Sequence, residues 1–408
     1  MSMLEVRHQG HAQRFLRRAI EQSRLAHAYL FWGPEGVGKE TFSRGLAQFL
    51  LCERPVERKL EPGQAEAIGT MSMKMGCGGC IDCRGVAAET HPDLHVVHRY
   101  LNREHPDADV RKRKSLEISV DVVRHFIIER VGLTPVRGRA KVFIVRQADY
   151  TTVQAQNALL KTLEEPQGKT YLFLLVANPH LLLPTTRSRC TVVRFDPLPT
   201  AFVSERLGEL RPDLSPEQRL WYAQSSDGSL GRALQAAEDR HFELNGRVAA
   251  TLAGLAQSAP APTREARRRQ GTEARRDLVA PASDANAVVK QWMEQSEALG
   301  ERCRKRDPDI TDTEAARRGF VILLRLAANW YADLLRCQND NAPRPLNLPW
   351  LSQIEKAAES LSPDDAAEAV RRIALAERQL DLNANIQLCI ECLVNDLAVL
   401  AQDTRMML

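Results

Sequence analysis

Gly33-Pro34-Glu35-Gly36-Val37-Gly38-Lys39 has the glycine spacing and terminal lysine of a phosphate-binding loop. Glycines let successive backbone N–H groups close on phosphate oxygens, which then sit at the start of the following helix. Lys39 would add its ammonium to the β- and γ-phosphates. Hydrolysis needs more, because a magnesium ion must be held by a Ser or Thr after the lysine and by an acid on a neighbouring strand. Glu40 follows the lysine instead, and Thr41 cannot stand in for it, since one step along a helix turns a side chain by about 100°. The segment Lys141 to Asp149 carries Arg146 and Gln147 where adjacent acids are required, leaving Asp149 as the nearest carboxylate. The expectation is a loop inherited as a turn, in which Gly33, Gly36, Gly38 and Lys39 bind no ATP or hydrolyse none.

A second group of residues suits a metal. Cys77, Cys80 and Cys83 are each separated by two residues, and Cys52 lies upstream at the end of the helix expected after the phosphate loop. Four thiolates around a tetrahedral Zn²⁺ is the simplest site, structural because it is closed, with Gly78 and Gly79 allowing tight turns. Cys52 is the least fixed of the four, and His91, His95 and His98 are possible replacements. Unliganded thiols and an iron–sulfur cluster are the weaker readings of this spacing. The nine cysteines are odd in number, and their clustering fits a reducing compartment better than a disulfide framework.

The elements that must position these residues follow from the apolar pattern. Short runs rich in β-formers, Ala28 to Trp32, Leu94 to His98, Val142 to Val145, Tyr171 to Ala177 and Thr191 to Phe195, alternate with helical patterns, which predicts a parallel sheet covered by helices. A helix is expected from Thr152 to Glu165, with Val153, Ala158, Leu159, Leu160 and Leu163 on its apolar face and Pro166 as its stop. After Pro199 strand signals fade: Phe202 to Leu210, Pro216 to Gln224 and Leu230 to Glu238 read as a three-helix unit, and the chain from His241 onward reads as helical, broken at Ser258 to Thr263 and Asn339 to Pro349. Segments 53–76, without a convincing period, and 102–114, strongly charged, read as insertions, the second a surface loop.

A length of 408 residues implies two or three domains. With 56 basic against 52 acidic side chains there is no global field to compel nucleic-acid binding. The arginine-rich stretch Arg264 to Arg276 interleaves with acids and Gln and reads as a solvated helix face. No run approaches the roughly 20 apolar residues that span a bilayer, and no apolar signal core is present at the N-terminus, so the cytoplasm is the expected location.

Thr185-Thr186-Arg187-Ser188-Arg189-Cys190 says little alone, and its weight comes from company. His27 to Pro34, the Cys77 to Cys83 cluster followed by His91-Pro92-Asp93, Asn157-Ala158-Leu159-Leu160-Lys161-Thr162-Leu163-Glu164-Glu165-Pro166, Leu183-Pro184-Thr185 leading into Ser188-Arg189-Cys190, and Gly228 to Leu234 occur in one order over about residues 20 to 235. Together they resemble the delta prime clamp-loader family of bacterial DNA polymerase III, within the AAA+ superfamily. Leu382-Asn383-Ala384-Asn385 and the helix after it resemble the end of that family's collar.

The resemblance implies an α/β AAA+ parallel-sheet domain over residues 1–198 with a zinc module at about 52–83, a helical lid over 199–240 and an all-α collar over 241–408. It implies a subunit that does not hydrolyse ATP but sits in a pentameric ring with gamma/tau and delta subunits, which place a sliding clamp on primer-template DNA during replication. Arg189, flanked by Ser188 and Cys190, matches the arginine finger offered in trans to a neighbour's nucleotide; Asn178 and Arg232 match the two sensor positions. The insertions 53–76, 102–114 and 258–307 depart from the usual length. An active gamma/tau-like ATPase is the alternative, opposed by the loss of both magnesium positions, and a zinc-ribbon nucleic-acid binder lacks a basic, aromatic-interleaved stripe.

Overall fold

The computed structural model describes residues 3–112, 117–137, 139–258, 283–307, 310–339, 341–382 and 384–407. The arginine-rich stretch Arg264 to Arg276, most of the 258–307 insertion's first half, Arg113, Lys114 and Asn383 lie outside them. The chain divides into two compact units: Met1–Arg211 with Ser226–Ala233, and Pro212–Ser225 with Leu234–Leu408. The three helices expected after Pro199 are observed as Thr200–Leu210, Pro216–Ser225 and Leu230–Glu238, and they are shared between the two units.

Among the described residues the first unit is built on seven strands, β1 Ala28–Trp32, β2 Val56–Lys59, β3 Ser72–Met75, β4 Leu94–Val97, β5 Lys141–Val145, β6 Thr170–Val176 and β7 Thr191–Arg194. Five of them form one parallel sheet in the order β4-β5-β6-β1-β7. A parallel sheet is covered on both faces, so its central strands β1, β5 and β6 read as nearly continuous apolar runs, whereas the edge strands β4 and β7 are only partly buried. One face carries an aromatic group, Phe31, Phe42, Phe173 and Phe195, with ring centroids 5.3 to 5.9 Å apart. The other carries an aliphatic cluster including Leu30, Ile118, Ile127, Val145, Leu159, Leu163 and Leu174.

Four helices matter for the site: α1 Gly10–Glu21, α2 Lys39–Leu51, α3 Pro62–Ile68 and α4 Ile81–Ala87. Segment 53–76 is not irregular, as its sequence suggested: β2 and β3 pair antiparallel, Val56 opposite Met75, with α3 between them. Segment 102–114 is not purely a loop either, because Ala108–Lys112 is a short helix. The helix expected from Thr152 to Glu165 runs Val153–Glu164, with the Thr152 hydroxyl accepting from Ala155 N at 3.2 Å as its cap. Val153 is 53% exposed rather than in the apolar face, since it occupies the first turn, and Gln156 and Thr162 are buried there instead.

Lys141, the one charged residue in the buried β5, spends its charge on a helix end: its Nζ donates to Arg130 O at 2.7 Å, Val131 O at 2.5 Å and Leu133 O. Next to it, Arg130 Nη1 lies 3.2 Å from His95 Nδ1, and the His95 ring stacks on Phe143 at 4.7 Å. Burial, then the Arg130 charge, hold the His95 pKa down to about 4, with Asp93 opposing and Lys141 and His91 adding. An unfolded His titrates near 6.5, so below that pH the unfolded chain binds a proton that the folded chain refuses. Stability is then full above about pH 6.5 and falls as pH drops toward 4. In denaturant titrations at pH 7 and pH 4, His95→Gln should remove about 2–3 kcal/mol of that acid loss.

The second unit is helical, with His241–Ser258, Ser283–Arg306, Asp312–Cys337, Leu351–Ser360, Pro363–Asp381 and Ile386–Met407. The break expected at Asn339 to Pro349 is present and is stitched by buried polar groups. Asp333, fully buried, accepts from Leu346 N at 2.9 Å and Asn347 N at 2.7 Å, and Asn347 Oδ1 accepts from Trp221 Nε1 and Asn245 Nδ2, both at 2.9 Å. Among the described residues no helix is long and apolar enough to cross a membrane.

Candidate functional site

The phosphate-loop sequence sits between β1 and α2, at the carboxyl end of the sheet where such loops hold nucleotides. Gly36 (φ 72°) takes left-handed backbone, and a Cβ there would lie 2.5 Å from Ser229 Oγ and 2.7 Å from Gly231 Cα. That contact is fixed by two hydrogen bonds, Ser229 Oγ to Glu35 O at 2.6 Å and Gly231 N to Gly36 O at 3.1 Å. Lys39 is buried and folds back on the loop, donating to Gly33 O and to Pro34 O at 2.6 Å. Its pKa is lowered to about 8, by burial chiefly, against the opposing charges of Glu35 and Asp149.

The residues expected at the magnesium positions find each other. Arg146 Nη2 lies 2.5 Å from Glu40 Oε1 and 3.4 Å from Glu89 Oε2, while Arg44 Nη2 lies 2.5 Å from both Glu40 Oε1 and Glu89 Oε1. Gln147 Nε2 donates to Glu35 Oε1 at 3.1 Å. Sequence reasoning identified Glu40, Arg146 and Gln147 as losses but missed Arg44 and Glu89. Arg44 was within reach, lying one turn along α2 from Glu40; Glu89 carried no signal. Asp149 Oδ2 accepts from Ala177 N and Asn178 N, both at 3.0 Å, which fixes the end of β6.

The other sequence-singled residues are engaged locally. Asn178 Oδ1 accepts from His180 N at 3.0 Å. The Arg232 guanidinium donates to Ser226 O at 2.6 Å and Asp227 Oδ2 at 3.0 Å. Arg189 lies between the short helix Pro184–Arg187 and β7, with its side chain 32% exposed, paired with Glu164 and donating to Thr185 O at 2.8 Å. Ser188 Oγ donates to Thr185 O at 3.1 Å. Cys190 packs against the aliphatic cluster, and burial pushes its thiol up to about 12, which keeps it a neutral filler.

Cys52, Cys77, Cys80 and Cys83 converge, their Sγ atoms all within 4.8 Å of one another. Tetrahedral ligation with bonds of about 2.3 Å requires sulfurs about 3.8 Å apart. Cys52 to Cys80 is 3.9 Å and Cys77 to Cys83 is 3.8 Å, so the four thiols could hold a metal ion. Backbone N–H groups already point at the sulfurs, from Cys77 to Cys52, Cys80 to Cys77 and Cys83 to Cys80, each at 3.3 Å. The N–H groups of Cys80 and Gly79 bring the Cys77 thiol down to about 6, whereas burial pushes those of Cys52 and Cys83 up.

The histidines considered as replacement ligands are used elsewhere. His91 Nε2 contacts Asp82 Oδ1 at 3.3 Å, His95 is engaged by Arg130, and His98 packs on Tyr100. Asp82, buried between Cys80 and Cys83, also takes Arg137 Nε at 2.8 Å, and Asp93 takes Val136 N and Arg137 N at 2.7 and 2.8 Å. This web joins the cysteine cluster to β4 and was not foreseen.

The fold and site define a phosphate-loop α/β domain in which Glu40 and Arg146 pair with each other and which carries a four-thiol cluster. Residues 8–199 match the sequence family described as DNA polymerase III, delta subunit. DNA polymerase III subunit delta' of Pseudomonas aeruginosa is 40% identical over 189 residues, 46% of this chain and 48% of that one. The same subunit of Escherichia coli is 30% identical over 235 residues, 58% of this chain and 61% of that one. DNA polymerase III subunit tau of Escherichia coli is 27% identical over 244 residues, 59% and 33%. The first half of the chain is therefore similar in sequence to DNA polymerase III delta prime subunits, the resemblance that its motifs had indicated. The chain spans about half to three-fifths of the length of these delta prime relatives.

Proposed function

We propose that this chain is the non-hydrolysing stator subunit of a DNA polymerase III clamp loader. Residues 1–198 serve as its AAA+ domain, 199–240 as its lid and 241–408 as its oligomerising collar. Its partners are gamma/tau and delta subunits in a five-membered ring, which acts on a sliding clamp and primer-template DNA. The cysteine cluster holds a structural Zn²⁺, for which the sulfur spacings above are the support, and Arg189 is the finger offered to the neighbouring ATPase subunit.

One observation supports this reading: Glu40 and Arg146, which stand where magnesium ligands are expected in the sequence, form an ion pair with each other, while Arg189 stays partly exposed after a short helix. A chain arranged in this way is unfit to run the chemistry and fit to assist it. The same observation opposes the gamma/tau-like alternative. Mixing the purified chain with delta and gamma/tau subunits, sliding clamp and primed DNA should restore ATP-dependent clamp loading that the mixture lacks without it. Steady ATP hydrolysis by the chain alone, lost on Lys39→Ala, would move it to the motor class.

A further inference from the structure

The two residues that replace the ATPase acids both reach back to the phosphate loop, Arg146 to Glu40 and Gln147 to Glu35. Each is paired with a carboxylate of the loop or of the helix that follows it, so the two segments are matched to each other. Magnesium requires near-octahedral oxygen ligands at about 2.0–2.1 Å. The position offers instead two guanidinium groups bound to two carboxylates, and these residues do not fit the ion.

The loop is also satisfied from within. The carbonyls of Gly33 and Pro34 take the Lys39 ammonium, and those of Glu35 and Gly36 take Ser229 and Gly231. Around it three cations, Lys39, Arg44 and Arg146, face four carboxylates, Glu35, Glu40, Glu89 and Asp149. A polyphosphate, itself strongly anionic, gains no attraction from that balance and cannot bring magnesium as a counter-ion. Two of the clasping residues hold left-handed backbone, Glu89 at φ 56° and Gln147 at φ 48°. Side-chain-bearing residues keep that conformation where the surroundings over-determine it.

We propose that Arg146, with Arg44, Glu40 and Glu89, is an internal replacement for a magnesium nucleotide. It ties the phosphate loop to β5 and to the end of α4, holds the loop in one shape without ligand, and excludes a divalent cation. The idea deepens the reading of the chain as a non-hydrolysing subunit, but its test uses the isolated chain, so a failure of ring assembly leaves it untouched.

Calorimetric titration of the full chain with ADP, in excess magnesium or in EDTA, should show no saturable binding up to millimolar nucleotide. Combining Glu40→Thr, Arg146→Asp and Gln147→Glu should create ADP binding at least about tenfold tighter with magnesium than in EDTA. Because that variant can fail to fold, Arg146→Ala gives a second readout: amides 36–40 should exchange hydrogen about tenfold faster than in the parent. EDTA-sensitive ADP binding by the parent, a folded triple variant indifferent to magnesium, or unchanged exchange in Arg146→Ala would each overturn the proposal.

Discussion

Replacing Arg189 by alanine is expected to cut the DNA-stimulated ATP turnover of a reconstituted ring by about 10³-fold or more while leaving the purified chain folded. The side chain is one-third exposed, and its partners are Glu164 and a backbone carbonyl at the surface. Such exposed pairs contribute roughly 0–1 kcal/mol, so truncation costs the fold little and the guanidinium can leave Glu164 for a better anion at little expense. A neighbour's γ-phosphate is that anion: the planar fork neutralises charge that develops in the transition state. Arg189→Lys should recover little of the loss, because an ammonium cannot copy the fork. Circular dichroism and thermal melting of the isolated variant, beside turnover of the assembled ring, separate the two effects. Turnover within about twofold of the parent, against the loss expected of a finger, would remove Arg189 from that role.

The second large effect concerns the cysteine cluster. The purified chain should carry about one zinc per molecule, and Cys80→Ser should lose most of it and lower the thermal midpoint of the first unit. Apparent binding energies for four-ligand structural zinc reach about 10–16 kcal/mol in small domains, so several kcal/mol of stability are at stake. Protons compete for the thiolates, so release of metal should begin as the solution is made acid and be complete sooner in the variant. His91→Ala should not reproduce the loss, since His91 is directed at Asp82 rather than at the sulfurs. A metal-free parent with an unchanged midpoint in Cys80→Ser would refute the structural site.

How much of this could be read from the chain depended on whether a signal was local. The central strands β1, β5 and β6 were legible because burial on both faces leaves nearly uninterrupted apolar runs, and the edge strands β4 and β7 by their β-branched residues. β2 was not, because Val56-Glu57-Arg58-Lys59 lies wholly at the surface and its partner β3 buries only Met73 and Met75. The Val153–Glu164 helix was placed by its apolar spacing and by Pro166, yet Val153 itself was misassigned because residues of a first turn need not face the core. The cysteines could be grouped by spacing, with Cys52 fixed only once α2 and α4 lay side by side. Glu40, Arg146 and Gln147 could be singled out in the sequence, whereas their pairings, Arg146 with Glu40 and Gln147 with Glu35, depend on contacts across about a hundred residues of chain.

That pairing also has a historical side. A return to catalysis by single steps would pass through a chain with Glu40 but no Arg146, or Arg146 but no Glu40. Each step leaves the cluster with one charge fewer on one side, while Arg44 still faces whichever of Glu40 and Glu89 remains. A route to a motor would therefore have to change both partners, on two segments about a hundred residues apart, before either change could serve a magnesium ion.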